Sequence, residues 1–163
     1  TQQIGSLRHA ITMLGRRQLQ RWLQLLLMTP SGKAADTGRS PLLQVAALRG
    51  RMMELLLERC APQQRILADQ GFITGLMSMM PAALGLPMKE IFEQIDLEPE
   101  VMQALTTHSG LLGQMLALLE CFDAEDMAGC TRQLAALPPP GLSPGMLNAC
   151  LMDALGWVNG GEA

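Results

Sequence analysis

Apolar residues recur at spacings of three and four along most of the chain, which is typical of helices with one buried face. The pattern is strongest over residues 63–86, in the middle of the sequence. Pro62 before this segment, and Gly85 and Pro87 at its end, are typical of helix boundaries. The apolar positions are Ile66, Phe72, Ile73, Leu76, Met77, Met80 and Leu84. The pattern predicts one long central helix that the other helices surround.

Similar periods and boundary residues predict further helices on both sides of the central one. They cover residues 6–14, 16–28, 41–60, 87–95, 99–107, 110–122, 124–137 and 143–159, with a loop at 29–41. Asp123 is the predicted N-cap of the helix over 124–137. The predicted buried face of the helix over 41–60 consists of Val45, Leu48, Met52, Leu55 and Leu56. With about nine helices and no convincing strand, we expect one all-α domain over residues 1–163.

The composition of the chain agrees with a helical domain. Hydrophobic residues make up 48% of the 163 residues, but aromatic residues only 3%, and Leu, Met and Ala, which favour helices, supply the bulk. No apolar run reaches the roughly 18–20 residues that cross a bilayer, and the first residues lack the layout of a signal peptide. We therefore expect a soluble, cytoplasmic protein that does not act at a membrane.

The four cysteines, Cys60, Cys121, Cys130 and Cys150, have no CxxC spacing. In a chain with this much core, isolated cysteines usually act as small apolar residues. We expect all four to be reduced and structural.

Charge divides the chain into a basic and an acidic part. Residues 1–65 contain ten Lys or Arg and three Asp or Glu, whereas residues 66–163 contain two and twelve. The basic residues are densest at Arg8, Arg16, Arg17 and Arg21, here named the arginine cluster. This cluster is a candidate interaction surface for an acidic protein, a nucleotide or the acidic half of the chain itself. An ordinary solubilising role for these arginines is the alternative.

Residues that could carry chemistry are few. The two histidines, His9 and His108, have no second metal ligand at helical spacing, and the central helix has no His, Glu or Asp from Phe72 to Leu86. The sequence contains no GxSxG motif, no Cys–His pair and no phosphate-binding glycine loop. The sequence pI of about 5.3 and the scarcity of aromatic residues argue against nucleic-acid binding. These observations predict no catalytic residue, no metal and no cofactor.

Three segments resemble the HDOD family, the HD-related helical output domains of bacterial signalling proteins. Residues 4–23 are similar to the pattern I-x-S-hydrophobic-x-x-A-I-x-x-L-G, followed by Leu and Trp. Residues 46–56, AALRGRMMELL, resemble A-x-x-R-A-x-x-x-E-x-L, and residues 72–79, FITGLMSM, resemble F-x-x-G-L-hydrophobic-H-D. The resemblance covers about residues 4–122, and it is most specific in the first segment.

The chain is most similar to the HDOD half of EAL–HDOD proteins, in which an EAL domain of the cyclic-di-GMP phosphodiesterase type comes first. The resemblance implies an N-terminally truncated fragment and a regulatory module without catalytic activity. Ser78 and Met79 stand where active HD enzymes have a metal-binding His-Asp pair. Any phosphodiesterase activity would belong to an adjacent EAL domain. The implied partners are that domain, another signalling protein or a second copy of the chain, rather than nucleic acid.

Two alternatives remain at this point. One is a residual metal-dependent phosphohydrolase of the HD superfamily, with His9, His108 and carboxylates such as Asp69 as ligands. The other is a domain that senses a nucleotide directly through the arginine cluster.

Overall fold

A computed structural model describes residues 41–159, and over this range the protein is all-helical, as predicted. Eight helices follow one another in the described range, without a strand between them. They are α1 (Pro41–Cys60), α2 (Arg65–Ser78), α3 (Met80–Leu84), α4 (Met88–Gln94), α5 (Pro99–Thr107), α6 (Gly110–Asp123), α7 (Met127–Ala136) and α8 (Pro144–Val158). The two helices predicted before residue 29, most of the predicted loop at 29–41 and the arginine cluster lie outside the described residues.

Helix α2 lies at the centre of the described helices, as the hydrophobic pattern predicted. It packs most extensively on α1 and also contacts α3, α5 and α6. Phe72, Leu76 and Met77 on α2 are almost completely buried. At the periphery, α8 packs on α1 and α7 packs on α6.

The crossing of α1 and α2 depends on glycine. A Cβ atom on Gly75 would lie 2.7 Å from the carbonyl oxygen of Arg49, and one on Gly50 would lie 2.8 Å from the carbonyl oxygen of Phe72. Real side chains do not approach a backbone oxygen so closely, so the two helices meet backbone to backbone. This close contact aligns the end of α2 with the middle of α1.

The prediction of one helix over residues 63–86 was wrong at its start and in its middle, whereas Gly85 ends the helical segment in a left-handed conformation, as predicted. Pro62 lies in a turn, and α2 begins only at Arg65. In the middle of the predicted helix, α2 stops at Ser78 and α3 begins at Met80, with Met79 between them. Pro81 explains this break, because it lacks the N–H that would continue the hydrogen-bond ladder and disfavours helical geometry at the residue before it.

Two apolar residues that the pattern placed inward are exposed. The side chain of Ile66 is 72% exposed, because Ile66 lies about 200° around α2 from the buried Ala68. Val45 is 44% exposed, although Met52 on the same face of α1 is buried. Val45 lies two turns nearer the start of α1 than Met52. The predicted face of α1 is therefore correct at Met52 and Leu56 but does not extend to Val45.

The N-cap predicted for the helix after α6 was also wrong. Asp123 is the last residue of α6, and Asp126 caps α7 by accepting a hydrogen bond from the N–H of Gly129 at 2.8 Å. The chain turns through Glu125, whose φ of 56° is left-handed, so α7 starts later than expected. The last predicted helix begins as expected, since Ser143 caps α8.

Among the helices of residues 41–159, none combines the length and the apolar character that crossing a membrane requires.

Candidate functional site

The candidate site lies at the end of α2, where the resemblance places Ser78 and Met79. Ser78 is the last residue of α2, and its hydroxyl donates a hydrogen bond to the carbonyl oxygen of Gly75 at 2.7 Å. The same hydroxyl accepts a hydrogen bond from Nη1 of Arg49 at 3.1 Å. Nη2 of Arg49 forms an ion pair with the carboxylate of Asp123. One guanidinium group therefore joins α1, α2 and α6, and we name Arg49, Ser78 and Asp123 the Arg49 cluster.

The two ends of the Arg49 cluster differ in exposure. The side chain of Arg49 is 14% exposed, whereas that of Asp123 is 49% exposed. Water screens the ion pair at the Asp123 end, so the pair itself contributes at most about 1 kcal/mol to the free energy of unfolding. The hydrogen bond to Ser78 is more deeply placed and holds the guanidinium in position.

Met79, in the break between α2 and α3, is half-buried and packs against the hydrophobic core. A thioether is a soft ligand, and a serine hydroxyl binds metal ions weakly, so this pair is a poor site for a hard divalent cation. Within residues 41–159, no three side chains of His, Cys, Asp or Glu come together as ligands for one metal ion.

His108, one of the ligands of the phosphohydrolase alternative, lies at the end of α5 and not in the Arg49 cluster. His108 ends α5 in a left-handed conformation, with φ of 52° and ψ of 34°. Its Nε2 atom lies 2.7 Å from a carboxylate oxygen of Glu120 on α6, and both side chains are exposed. Asp69 lies in the first half of α2 and is exposed, and the two residues do not share a group of metal ligands in the described part of the chain. His9 lies outside the described residues.

A second polar cluster holds the end of α8 against α1. Glu54 is 4% exposed and forms an ion pair with Arg51 at 2.6 Å. The guanidinium of Arg51 lies over the ring of Trp157, 5.5 Å from its centroid. The ring of Trp157 in turn meets that of Phe72 edge to face, with 6.1 Å between the centroids. Such contacts stabilise the packing of α8 on the two central helices.

The acidic half of the chain presents its charge to solvent. The carboxylates of α4, α5 and the segment between them are all exposed; they are Glu90, Glu93, Asp96, Glu98 and Glu100. This surface carries the opposite sign to the arginine cluster, whose own placement lies outside the described residues.

Sequence reasoning did not identify Arg49, Asp123 and Glu54 as members of polar clusters. Arg49 and Glu54 appeared only as letters of a family pattern, and Asp123 was assigned to the wrong helix. A charged residue on a largely apolar helix is a signal that a partner is present elsewhere in the fold. The identity of that partner, 74 positions away in the case of Arg49, is visible only in the structure.

Two curated proteins are similar to this chain. The chain is 24% identical over 131 residues to the uncharacterized protein YuxH of Bacillus subtilis. The matched segment makes up 80% of this chain and 31% of that protein. The chain is also 26% identical over 126 residues to the cyclic di-GMP phosphodiesterase CdgJ of Vibrio cholerae. This matched segment makes up 77% of this chain and 28% of that protein. The chain thus spans about a third of the length of these relatives. No family model and no solved structure matches the chain.

Proposed function

We propose that this chain is a regulatory module of the HDOD type without catalytic activity, acting in cyclic-di-GMP signalling through contacts with other protein domains. The similarity to CdgJ, itself a cyclic di-GMP phosphodiesterase, supports the signalling context. The observation that carries the proposal is the hydrogen bonding of Ser78. This residue stands at the position that the resemblance assigns to a metal-binding His-Asp pair. Its hydroxyl is hydrogen-bonded to Arg49 and to Gly75 and is flanked by the thioether residue Met79.

A guanidinium beside Ser78 opposes metal binding electrostatically. A divalent cation at this position would meet the positive charge of Arg49 at short range. The one carboxylate of the Arg49 cluster, Asp123, is already paired with Arg49 and is therefore not available as a metal ligand. Without a bound metal the position cannot activate water in the way that metallohydrolases do.

The function then resides in surfaces. The arginine cluster and the exposed carboxylates of residues 90–100 have opposite signs, and such surfaces accelerate and orient protein association. The proposed partner is an EAL-type domain or another signalling protein, with a second copy of this chain as a further candidate.

The test of the surface is a charge reversal in the full chain. We expect Arg16→Glu with Arg17→Glu to weaken binding to a separately purified EAL-type phosphodiesterase domain at least tenfold in a calorimetric titration. The matched control is Arg65→Glu with Arg132→Glu, which changes the net charge equally at exposed positions of α2 and α7. Equal affinity of both double variants and the unmodified chain would remove the arginine cluster from the proposal.

The phosphohydrolase alternative makes a different prediction for the purified protein. We expect no stoichiometric Mn, Fe or Zn by elemental analysis, and no hydrolysis of cyclic di-GMP with added Mn²⁺ or Mg²⁺. Bound metal or hydrolysis that disappears in a His108→Ala variant would establish an enzyme and contradict the proposal.

Direct nucleotide sensing is tested by titration with cyclic di-GMP alone. We expect no saturable binding at physiological ionic strength. Binding that weakens with salt and is lost in the Arg16→Glu, Arg17→Glu variant would show instead that the arginine cluster binds the nucleotide.

A further inference from the structure

Two cysteines lie on the two helices that the turn between α6 and α7 joins. Cys121 lies near the end of α6, and Cys130 lies near the start of α7. The N–H of Asp126 donates to the carbonyl oxygen of Cys121 at 2.9 Å, and the N–H of Cys130 donates to the carbonyl oxygen of Asp126 at 2.9 Å. These consecutive hydrogen bonds fix the backbones of both cysteines to the same short turn.

The thiol of Cys121 packs on the residue that precedes Cys130. Its Sγ atom lies 2.8 Å from the position that a Cβ atom on Gly129 would occupy. The absence of a side chain on Gly129 therefore leaves a space that the Asp126 carboxylate and the Cys121 thiol occupy together. The pair also interacts electrostatically: burial is the main cause that raises the pKa of Cys130, and Cys121 and then Asp126 raise it further.

The two thiols differ in access to solvent. Cys121 is partly exposed, whereas Cys130 is 3% exposed. A small oxidant therefore reaches Cys121 first, and the buried Cys130 is placed to react with the product. All four cysteines of the chain are free in the structure, which is the reduced state of such a pair.

We propose that Cys121 and Cys130 form a reversible intramolecular disulfide when the protein meets a hydroperoxide. This modification site is independent of the proposed function. The structure describes its reduced form.

The chemistry balances in two steps. The sulfur of Cys121 attacks hydrogen peroxide, the O–O bond breaks, and Cys121 sulfenic acid and one water are formed. The sulfur of Cys130 then attacks the sulfenic sulfur, so that the S–S bond forms, the S–O bond breaks and a second water leaves. Two thiols lose two electrons in total, and the peroxide gains them. A dithiol reductant reverses the reaction by thiol–disulfide exchange.

The surroundings of the pair set its rate. Because the thiolate is the reactive form and burial raises the pKa of Cys130, only a small fraction of Cys130 is thiolate at neutral pH. The second step, in which Cys130 attacks the sulfenic sulfur, is therefore slowed. Once formed, the disulfide joins α6 to α7 and raises the Tm of the chain by about 5 °C.

The test is peptide mapping of the full chain after treatment with hydrogen peroxide. Free thiols are alkylated under denaturing conditions, and the protein is cut without reduction by two proteases, one that cleaves after Glu and one that cleaves after Lys and Arg. Cleavage after Glu125 separates Cys121 from Cys130, and cleavage after Arg132 separates Cys130 from Cys150, so the peptides of Cys121 and Cys130 stay joined only if a disulfide links them. We expect the linked pair, lighter by two hydrogen atoms than the two free peptides, and we expect a dithiol reductant to separate it.

Variants supply the controls. Cys121→Ser and Cys130→Ser are each expected to abolish the linked peptide and the rise in Tm, whereas the double variant Cys60→Ser, Cys150→Ser retains both. Three outcomes in the unmodified chain overturn the proposal: four free thiols after prolonged oxidation, over-oxidation of Cys121 without a link, or a link from either cysteine to Cys60 or Cys150. These outcomes do not depend on whether any variant folds.

Discussion

Arg49 is the residue at which three helices of the described structure meet. Its guanidinium donates to the hydroxyl of Ser78 and pairs with the carboxylate of Asp123. Because its side chain is largely buried, its removal would leave a hydroxyl and a carboxylate without their common partner.

We expect Arg49→Ala to lower the free energy of unfolding in urea by about 2 kcal/mol, and Asp123→Asn by less than about 1 kcal/mol, because Asp123 is half exposed. Arg49→Lys should lie between these values, since one ammonium cannot reproduce the planar fork of a guanidinium. The control is Arg132→Ala on α7, whose side chain is 72% exposed and should change stability by less than about 0.5 kcal/mol. Equal effects of Arg49→Ala and Arg132→Ala would contradict a structural role for the Arg49 cluster.

The glycines of the α1–α2 crossing give a second prediction at the scale of single residues. Gly75→Ala places a methyl group 2.7 Å from the carbonyl oxygen of Arg49, so the helices must separate, at a cost of about 1–3 kcal/mol. Gly156 on α8 has no atom within 4 Å of its Cβ position, so Gly156→Ala should instead stabilise by about 0.5–1 kcal/mol. Chemical denaturation of both variants measures this difference in sign, and two effects of the same sign would refute it.

At the scale of the element, the sequence was a good guide where proline begins a helix. Pro99 begins α5 at the predicted position, because proline is preorganised for the first turn of a helix. Pro81 in the sequence indicated the break at Met79, but the apolar spacing continues past it and favoured one unbroken helix. The choice between Asp123 and Asp126 as a cap had no such signal, since it depends on the left-handed turn at Glu125.

Helix capping can be tested at two serines in equivalent positions. The hydroxyl of Ser143 accepts a hydrogen bond from the N–H of Met146, whereas Ser109, at the same position before α6, makes no such bond. Ser143→Ala should therefore lower the free energy of unfolding by about 1 kcal/mol. We expect Ser109→Ala to cost less than half as much in the same thermal or urea unfolding experiment. A larger loss at Ser109 would show that side-chain capping does not decide these two helix starts.

At the scale of the whole molecule, composition and periodicity predicted the helical class and the central position of α2. Both follow from hydrophobic burial, which depends on residue type and spacing. The Arg49 cluster and the Arg51–Trp157 contact could not be predicted, because they join residues that are distant in sequence. Which residues meet is set by the angle at which α1 and α2 cross. Gly50 and Gly75 fix that angle by letting the two backbones come into contact, which the hydrophobic pattern of the sequence does not record.

The edge-to-face packing of Trp157 has an optical consequence. The chain contains two tryptophans, Trp22 and Trp157, so a Trp22→Phe variant has a single fluorophore. That fluorophore lies between the ring of Phe72 and the charge of Arg51, on the peripheral helix α8. Its emission spectrum would shift to longer wavelength whenever α8 leaves α1 and the indole meets water. The protein thus has a built-in spectroscopic reporter for whether its last helix is docked, readable without any label.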